Sequence, residues 1–277
     1  MIAQLHCGRF RLSLKRPLIM GVVNVTPDSF SDGGRFLEPA AAIAHARRLI
    51  EEGADLIDLG AESSRPGAVA LVTAEEELRR LLPVLRGLRD APVPLSVDTI
   101  KPEVMRAALA EGATMINDIN ALRAPGAVAA VAAGDAAVCL MHMQGTPGTM
   151  QQHPSYADVV AEVKTFLLER VRAARDAGIT PESIVIDPGF GFGKTLEHNL
   201  ELLRHLREFE VLAVPVLAGW SRKSSLGQIT GRPAGERLAA SIAAALIAAQ
   251  NGARILRVHD VAATREALAV LAAVGNT

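Results

Sequence analysis

Eight short apolar runs, each ending at or shortly before polar residues, recur along this chain of 277 residues. They are residues 18–23, 56–59, 93–97, 115–116, 136–141, 184–186, 214–217 and 255–258. A near-continuous apolar run bounded by turn residues is typical of a strand that is buried on both faces. Because the runs alternate with helical patterns, we predict an α/β fold, a closed (β/α)8 TIM barrel whose working face lies at the carboxyl ends of the strands.

Two short segments before the first run are predicted to form a β-hairpin. Residues 4–7 and 9–14 have strand patterns and are joined at Gly8. We expect this hairpin to plug the amino-terminal end of the barrel. No linker, fixed-length repeat or composition break interrupts the chain, so we predict one domain over residues 1–277.

Composition and charge exclude several classes of protein. The chain is 49% hydrophobic, which fills a large core, and its formal net charge of -1 gives no electrostatic case for nucleic acid or an anionic membrane as a partner. The two cysteines, Cys7 and Cys139, lie far apart, which argues against a disulfide framework or a thiolate zinc site. The first nine residues lack the apolar stretch of a signal peptide, and residues 239–249 are too few to span a bilayer. We therefore expect a cytoplasmic protein.

Helical patterns follow the strands at residues 38–52, 74–88, 102–111, 156–177, 196–209, 234–250 and 264–274. Pro83 is expected to kink or split the second helix. The sixth is rich in small residues, which reflects either helix propensity or a face that lets another helix approach closely, as across a dimer interface. Three loops, residues 24–36, 62–73 and 143–155, are longer than strand-to-helix connections require. Such loops commonly close over substrates, although the third also fits a surface excursion.

The first long loop carries residues suited to a cation and to a lid. It reads Asn24-Val-Thr-Pro-Asp-Ser-Phe-Ser-Asp-Gly-Gly34. Asn24 stands at a strand end, where its carbonyl oxygen suits Mg²⁺ with water and substrate phosphates as the other ligands. Asp28 and Asp32 also fit a simple turn. Phe30 is a candidate lid contact, because aromatic residues make up only 3% of the chain.

Three polar residues, Asp98, Asn117 and Asp187, stand at the ends of the third, fourth and sixth runs. Any one of them also fits a helix cap. Together they predict a pocket that binds the donor–acceptor edge of a heterocycle. The string that starts at Asp187, Asp-Pro-Gly-Phe-Gly-Phe-Gly-Lys, lets the backbone approach a ligand beside aromatic walls. It matches neither the P-loop nor the dinucleotide glycine pattern.

Basic residues near the last strands predict an anion site. Phosphate sites in barrels often lie there, and arginine holds phosphoryl oxygens with a forked geometry. The set therefore indicates a heterocyclic ligand that carries an anionic group. Lys223 alone also fits a Schiff-base lysine, and His142 fits either a site or a structural hydrogen bond. The candidate cations are Arg65, Arg222, Lys223, Arg257 and His259.

Eight strings cover the barrel from its first strand to its last. They are residues 24–34, Glu62-Ser-Ser-Arg-Pro-Gly67, Ser96-Val-Asp-Thr99, Ile116-Asn-Asp118, Leu140-Met-His-Met-Gln-Gly145, residues 187–194, Gly219-Trp-Ser-Arg-Lys-Ser224 and Arg257-Val-His-Asp260. This set, in this order, resembles the dihydropteroate synthases of the bacterial folate pathway.

The resemblance implies that p-aminobenzoate displaces pyrophosphate from 6-hydroxymethyl-7,8-dihydropterin pyrophosphate, giving 7,8-dihydropteroate. By motif, it assigns the pterin to Asp98, Asn117, Met141, Asp187, Phe192, Lys223 and Arg257. It assigns the pyrophosphate to Ser64, Arg65, Arg257 and His259, with Mg²⁺ on Asn24. It assigns p-aminobenzoate to Phe30, Pro66, Phe192 and Ser224. The implied catalytic residues are Asp32, Lys223, Arg257 and His259, with Asp32 stabilising a pterin-methylene cation.

The implied partners are small-molecule substrates and a second copy of the chain in a homodimer. Three other functions stay open: a pterin-binding methyltransferase domain of the corrinoid type, a non-catalytic relative, and a Schiff-base aldolase that uses Lys223. The methyltransferase needs no pyrophosphate site, and a non-catalytic relative should have lost loop or leaving-group residues. Arg65, Arg257 and His259 therefore argue against both. Borohydride trapping of a carbonyl substrate on Lys223 tests the third.

Overall fold

An antiparallel hairpin opens the fold. The computed structural model describes residues 2–25, 38–62 and 72–275. The hairpin consists of β1 (Gln4–Cys7) and β2 (Phe10–Ser13), which confirms the predicted strands. Gly8 makes the turn with a φ of 54°, in the left-handed region that glycine adopts without steric cost.

In the described residues, eight parallel strands form the centre of the fold. They are β3 (Leu18–Asn24), β4 (Leu56–Gly60), β5 (Leu95–Asp98), β6 (Met115–Asp118), β7 (Ala137–Met141), β8 (Ile184–Asp187), β9 (Leu217–Ala218) and β10 (Ile255–Val258). Their order is β8-β7-β6-β5-β4-β3-β10-β9. A parallel bridge between Ile186 of β8 and Val216, next to β9, joins the two ends. The predicted (β/α)8 barrel is confirmed, since every predicted run overlaps one strand.

The strands separate two apolar layers because successive side chains point to opposite faces. Along β3, Leu18 and Met20 belong to a cluster inside the barrel, whereas Ile19 belongs to the larger cluster shared with the helices. The hairpin residues Leu5 and Cys7 belong to the interior cluster. The hairpin therefore closes the amino-terminal end of the barrel, as the sequence predicts, and the opposite end is left for the site.

Helices cover the outside of the barrel. In the described part of the chain they are α1 (Glu38–Glu51), α2 (Ala74–Gly87), α3 (Pro102–Ala110), α4 (Ala127–Ala132), α5 (Val159–Asp176), α6 (Leu196–Arg204), α7 (Ser224–Thr230), α8 (Leu238–Gln250) and α9 (Val261–Gly275). Each of the seven predicted helices overlaps one of these. The sequence did not predict α4 and α7, because six and seven residues are too few to show a helical period.

Several helix ends differ from the predicted ones for local reasons. The predicted start at residue 156 moves to Val159, because the Asp158 side chain caps the helix by accepting a hydrogen bond from the Ala161 backbone N–H. Helix α2 continues through Pro83, so the predicted split does not occur. None of the helices within the described ranges combines the length and apolarity needed to cross a membrane.

Candidate active site

Side chains that point into the barrel recur at every second residue of each strand. Along the strands these inward side chains change from apolar to polar at the carboxyl ends. In β8, the interior residue Val185 is followed two positions later by Asp187, and in β10 Ile255 is followed by Arg257. The same step leads from Leu56 to Asp58, from Ser96 to Asp98, from Met115 to Asn117 and from Cys139 to Met141. The predicted strand-end residues therefore point into one cavity mouth.

Asp58 organises one side of this mouth. Its Oδ2 atom accepts hydrogen bonds from Asn117 Nδ2 at 3.1 Å and from Arg257 Nε at 2.6 Å. Arg257 Nη2 donates a second charged hydrogen bond to Asp98 Oδ2 at 3.1 Å. The Asp58 side chain is 0% exposed, so its charge depends on these donors.

Sequence reasoning missed Asp58. The signal was present, because a single carboxylate interrupts the run at residues 56–59. It also shares the face of Leu56, which lines the barrel interior. A charged residue at an interior strand position needs a buried partner, and the same parity argument places Arg257 on that face.

The electrostatics of Asp98 follow from its burial. Burial raises the pKa of Asp98 to about 7. The Arg257 guanidinium lowers this pKa, and the nearby Asp58 carboxylate raises it. The two carboxylates in turn raise the pKa of Arg257, so the guanidinium stays charged. Asp98 can therefore gain or lose a proton near neutral pH as its partners change.

The other side of the mouth pairs Asp187 with Lys223. Burial raises the pKa of Asp187, while Lys223 and the Gly189 backbone N–H lower it. Burial lowers the pKa of Lys223 to about 8, and Asp187 opposes that shift. Lys223 Nζ also donates to the Phe190 carbonyl and lies 4.8 Å from the centre of the Phe192 ring. A carboxylate and an ammonium thus face the cavity together.

An apolar wall adjoins these polar groups. Met141 and Met143 form a buried cluster with Ile119 and Met150, against which Phe192 packs while half-buried. Phe190 instead points away into the core, where its ring centroid lies 5.0 Å from that of Trp220. Of the two phenylalanines predicted to form walls, only Phe192 is placed beside the site.

The residues after β9 and β10 form the basic edge of the mouth. His259 Nδ1 lies 2.9 Å from Ser221 Oγ, and the His259 backbone N–H donates to the same oxygen at 3.2 Å. Arg222 is occupied by Asp260 at 2.5 Å. Ser224 is exposed at the first turn of α7. The structure therefore holds His259 and Ser224 near the mouth and directs Arg222 to a neighbouring carboxylate.

The two long loops after β3 and β4 contribute less to the described site. Phe30, Asp32, Ser64, Arg65 and Pro66 lie outside the described residues. Asn24 ends β3 beside Gly60, on the same strand face as Leu18 and Met20.

A partly buried ion cluster lies at the base of the second loop. Lys101 Nζ bonds Glu62 Oε2 at 2.5 Å and Glu77 Oε2 at 2.7 Å. Glu62 Oε1 accepts from the Val72 backbone N–H at 3.0 Å. Residues 62 and 72 are thereby joined on this side of the barrel.

The third long loop has extensive internal bonding. Gln144 accepts from the Ser155 backbone N–H at 3.1 Å and donates to the Ser155 carbonyl at 2.8 Å. His142 Nδ1 lies 2.9 Å from Lys194 Nζ, and its ring packs edge-on against Phe166. These contacts give structural roles to two residues, His142 and Gln144, whose roles the sequence left open.

Comparisons with known proteins agree with this geometry. The chain matches the sequence profile of the family described as pterin binding enzyme over residues 20–259. It is 51% identical over 263 residues to dihydropteroate synthase of Escherichia coli strain K12, covering 95% of this chain and 93% of that protein.

Solved structures are similar over the whole chain. Dihydropteroate synthase of Xanthomonas albilineans with 4-aminobenzoic acid is 57% identical, with a TM-score of 0.94 and coverage of 100% of both chains. The same enzyme in complex with 7,8-dihydropteroate aligns with a TM-score of 0.88, 51% identity and 100% coverage of both chains. Both the barrel and its length are therefore shared with these enzymes.

Proposed function

The chain belongs to the dihydropteroate synthase family of pterin binding enzymes, and on that premise we propose that it joins 6-hydroxymethyl-7,8-dihydropterin pyrophosphate to p-aminobenzoate. The products are 7,8-dihydropteroate and pyrophosphate, so the enzyme is a transferase. The observation that carries the proposal is the cluster at the barrel mouth, where two carboxylates and one amide face two half-buried cations. Those groups are Asp98, Asp187, Asn117, Lys223 and Arg257.

The chemistry of a pterin fits this cluster. Its pyrimidine edge carries N–H donors, which suit Asp187 and Asp98, and its ring acceptors suit Asn117 and Lys223. The buried apolar wall that includes Met141, together with the Phe192 ring, provides flat packing surfaces for the heterocycle. Arg257 now donates to Asp98, so a pterin that binds Asp98 replaces one of its partners.

The leaving group accounts for the basic edge. When the bond between the pterin methylene and pyrophosphate breaks, negative charge develops on the phosphate oxygens. We assign Arg257 and His259, with Ser64 and Arg65 from the second loop, to that charge. A preorganised donor of this kind typically lowers the barrier by about 3–4 kcal/mol.

The new bond forms between the amine nitrogen of p-aminobenzoate and the pterin methylene carbon. That nitrogen loses a proton as pyrophosphate departs, and no side chain has to act as a covalent nucleophile. We assign Asp32 to the positive charge on the methylene, and Phe30, Pro66, Phe192 and Ser224 to the p-aminobenzoate pocket.

Mg²⁺ is part of the proposal, held by the side-chain oxygen of Asn24. Within residues 2–25, 38–62 and 72–275 there is no group of three or more His, Cys, Asp or Glu side chains able to hold a metal. A single amide oxygen at the mouth fits a cation that takes its other ligands from water and pyrophosphate, as Mg²⁺ commonly does. When bound, the ion supplies charge neutralisation at the leaving oxygens.

We also propose a homodimer and a cytoplasmic location. Exposed apolar residues on α8 and α9, among them Ile247 and Val270, support contact with a second copy. Both cysteines are free and buried, which suits a reducing compartment.

Pyrophosphate release tests the proposed reaction. We expect release with the pterin pyrophosphate, p-aminobenzoate and Mg²⁺ together, and loss of release when Mg²⁺ is removed with a chelator. The variant Asp187→Asn should lose pterin binding, whereas Asp90→Asn, at an exposed turn, should match the wild type. Release that does not depend on p-aminobenzoate would refute the condensation.

A further inference from the structure

The glycine-rich loop after β8 is held by side chains at five successive backbone carbonyls. Lys194 Nζ donates to the carbonyls of Gly189 and Phe192, each at 3.0 Å. The intervening and following carbonyls accept from other side chains: Phe190 from Lys223, Gly191 from Gln151 at 2.7 Å, and Gly193 from Tyr156 at 2.7 Å. Every backbone carbonyl from Gly189 to Gly193 is therefore restrained by a side chain.

Lys194 is the centre of these restraints. Its side chain is 3% exposed and has no carboxylate in hydrogen-bonding contact among the described residues. Its three shortest contacts are the Gly189 and Phe192 carbonyls and His142 Nδ1 at 2.9 Å, which match the three N–H bonds of the protonated amine. Burial lowers the pKa of Lys194 to about 7, and Asp187 opposes that shift. Burial lowers the pKa of His142 to about 2, so the imidazole is neutral and available to accept.

The backbone of the loop also packs directly on the end of β7. Gly189 has a φ of 74°, and a Cβ atom there would lie 1.8 Å from the His142 carbonyl oxygen. Gly193 has a φ of 60°, and a Cβ atom there would lie 2.5 Å from the Gln144 carbonyl oxygen. Glycine is required at both positions because the two segments touch through their backbones.

The held loop reaches the cavity through three of its atoms or groups. The Gly189 backbone N–H donates to Asp187 Oδ1 at 2.7 Å. The Phe190 carbonyl accepts from Lys223 Nζ, and the Phe192 ring lies 4.8 Å from the same nitrogen. The loop therefore sets the orientation of both Asp187 and Lys223.

We propose that Lys194, Gln151 and Tyr156 form a carbonyl clamp, a set of positioning residues that hold the loop so that Asp187 and Lys223 are oriented for the pterin. This inference rests on the proposed function, and it adds residues that do not themselves touch the substrate. It also gives the third long loop, which supplies Gln151, a role as a support for the pterin side of the site.

The main test is Lys194→Met, which keeps side-chain length and removes the three donors. We expect the dissociation constant for 6-hydroxymethyl-7,8-dihydropterin pyrophosphate, measured by calorimetry, to rise at least tenfold. Trp220 is the only tryptophan in the chain and packs on Phe190, so its emission reports the loop directly. In the absence of any ligand, this emission should shift to longer wavelength in the variant.

Two controls separate positioning from general stability. Lys164→Met removes a half-buried lysine on α5 that pairs with Glu208, and it should change neither readout. Val104→Ala creates a small cavity under α3, far from the loop, and should lower the melting temperature without changing pterin affinity. If Val104→Ala weakens pterin binding as much as Lys194→Met does, the clamp acts only through stability and the proposal is overturned.

Tyr156→Phe keeps the test decisive if Lys194→Met does not fold. It removes only the hydroxyl that donates to Gly193, and we expect a twofold to fivefold rise in the pterin dissociation constant. An unchanged constant in every clamp variant that folds would overturn the proposal. A wild-type protein that fails to bind the pterin refutes the proposed function instead. In that case the Trp220 emission wavelength tests the clamp. Unchanged emission in both Lys194→Met and Tyr156→Phe would overturn the proposal.

Discussion

At the scale of single residues, the barrel mouth brings together charges of opposite sign that offset one another. Asp58 and Asp98 share Arg257, and Asp187 faces Lys223. Buried ion pairs of this kind are costly to break, because removing one partner leaves the other charge without compensation. Apart from Asp58, these charged groups are the ones proposed to bind the pterin.

Asp58→Asn tests the contribution of the buried carboxylate. Asp58 Oδ1 has no partner in the described part of the chain, so the amide nitrogen can take its place while the amide oxygen still accepts from Asn117 and Arg257. We expect a loss of about 2 kcal/mol in unfolding free energy, typical of a hydrogen bond to a charged group. We expect kcat/KM for the pterin substrate to fall tenfold to a hundredfold. Asp90→Asn is the surface control, and equal values for the two variants in urea unfolding and kinetics would contradict the role of Asp58.

The raised pKa of Asp98 predicts a pH dependence of stability. The folded protein holds this proton up to about pH 7, whereas the ordinary pKa of an aspartate side chain is 3.8. Between these values the folded state binds more protons than the unfolded state, so stability falls as pH rises from 4 to 7. One proton accounts for a slope of at most about 1.4 kcal/mol per pH unit.

Urea unfolding of Asp98→Asn across pH 4 to 8 measures this effect. In the variant, the unfolding free energy should fall less steeply as pH rises. Burial raises the pKa of Asp118 to about 6, so Asp118 should account for the decrease that remains. Parallel curves for wild type and variant would show that Asp98 does not titrate in this range.

At the scale of elements, the alternation of side chains between the two faces of a strand explains why the strand-end residues were predicted correctly. Strand ends at Asp98, Asn117 and Asp187 were predictable because a buried strand must end before a polar residue or place that residue inside the barrel. Asp58 lies within the apolar run at residues 56–59. Its position was therefore predictable only from the rule that a polar residue within a buried strand points into the barrel. Helix α7 is too short to show a helical period. The packing of the Phe190 ring into the core depends on its contact with Trp220, which leaves no periodic signal in the sequence.

The loop after β8 makes a further prediction through Gly189. In Gly189→Ala the new methyl group meets the His142 carbonyl oxygen, which is backbone and cannot rotate away. The left-handed φ adds about 1 kcal/mol of strain for a residue with a Cβ atom. We expect a total loss of about 2–4 kcal/mol in unfolding free energy and weaker pterin binding. Gly134→Ala, in open space, is the matched control, and equal stabilities would contradict the close approach of the loop to β7.

At the scale of the whole molecule, the two ends of the barrel have separate tasks. The hairpin closes one end with apolar side chains, and the strand ends at the other carry the charged groups. The order of strands and the closing bridge follow from the alternation of strands and helices, so the architecture was predictable. The assembly state was not, because an exposed alanine-rich helix face is consistent with both solvent and a partner.

The proposed homodimer leads to the last prediction. Helix α8 exposes Ala239, Ala243 and Ile247, which lie four residues apart and therefore on one face. Ile247 is 45% exposed, and the two alanines allow another helix to approach closely. Light scattering after gel filtration should give about 58 kDa for the wild type, twice the chain mass of 29.2 kDa. Ile247→Glu places a charge in the contact and should give the monomer mass, whereas Ala110→Glu, at the exposed end of α3 across the barrel, should leave the dimer intact. A wild type that elutes as a monomer, or equal masses for the two variants, would refute the α8 interface.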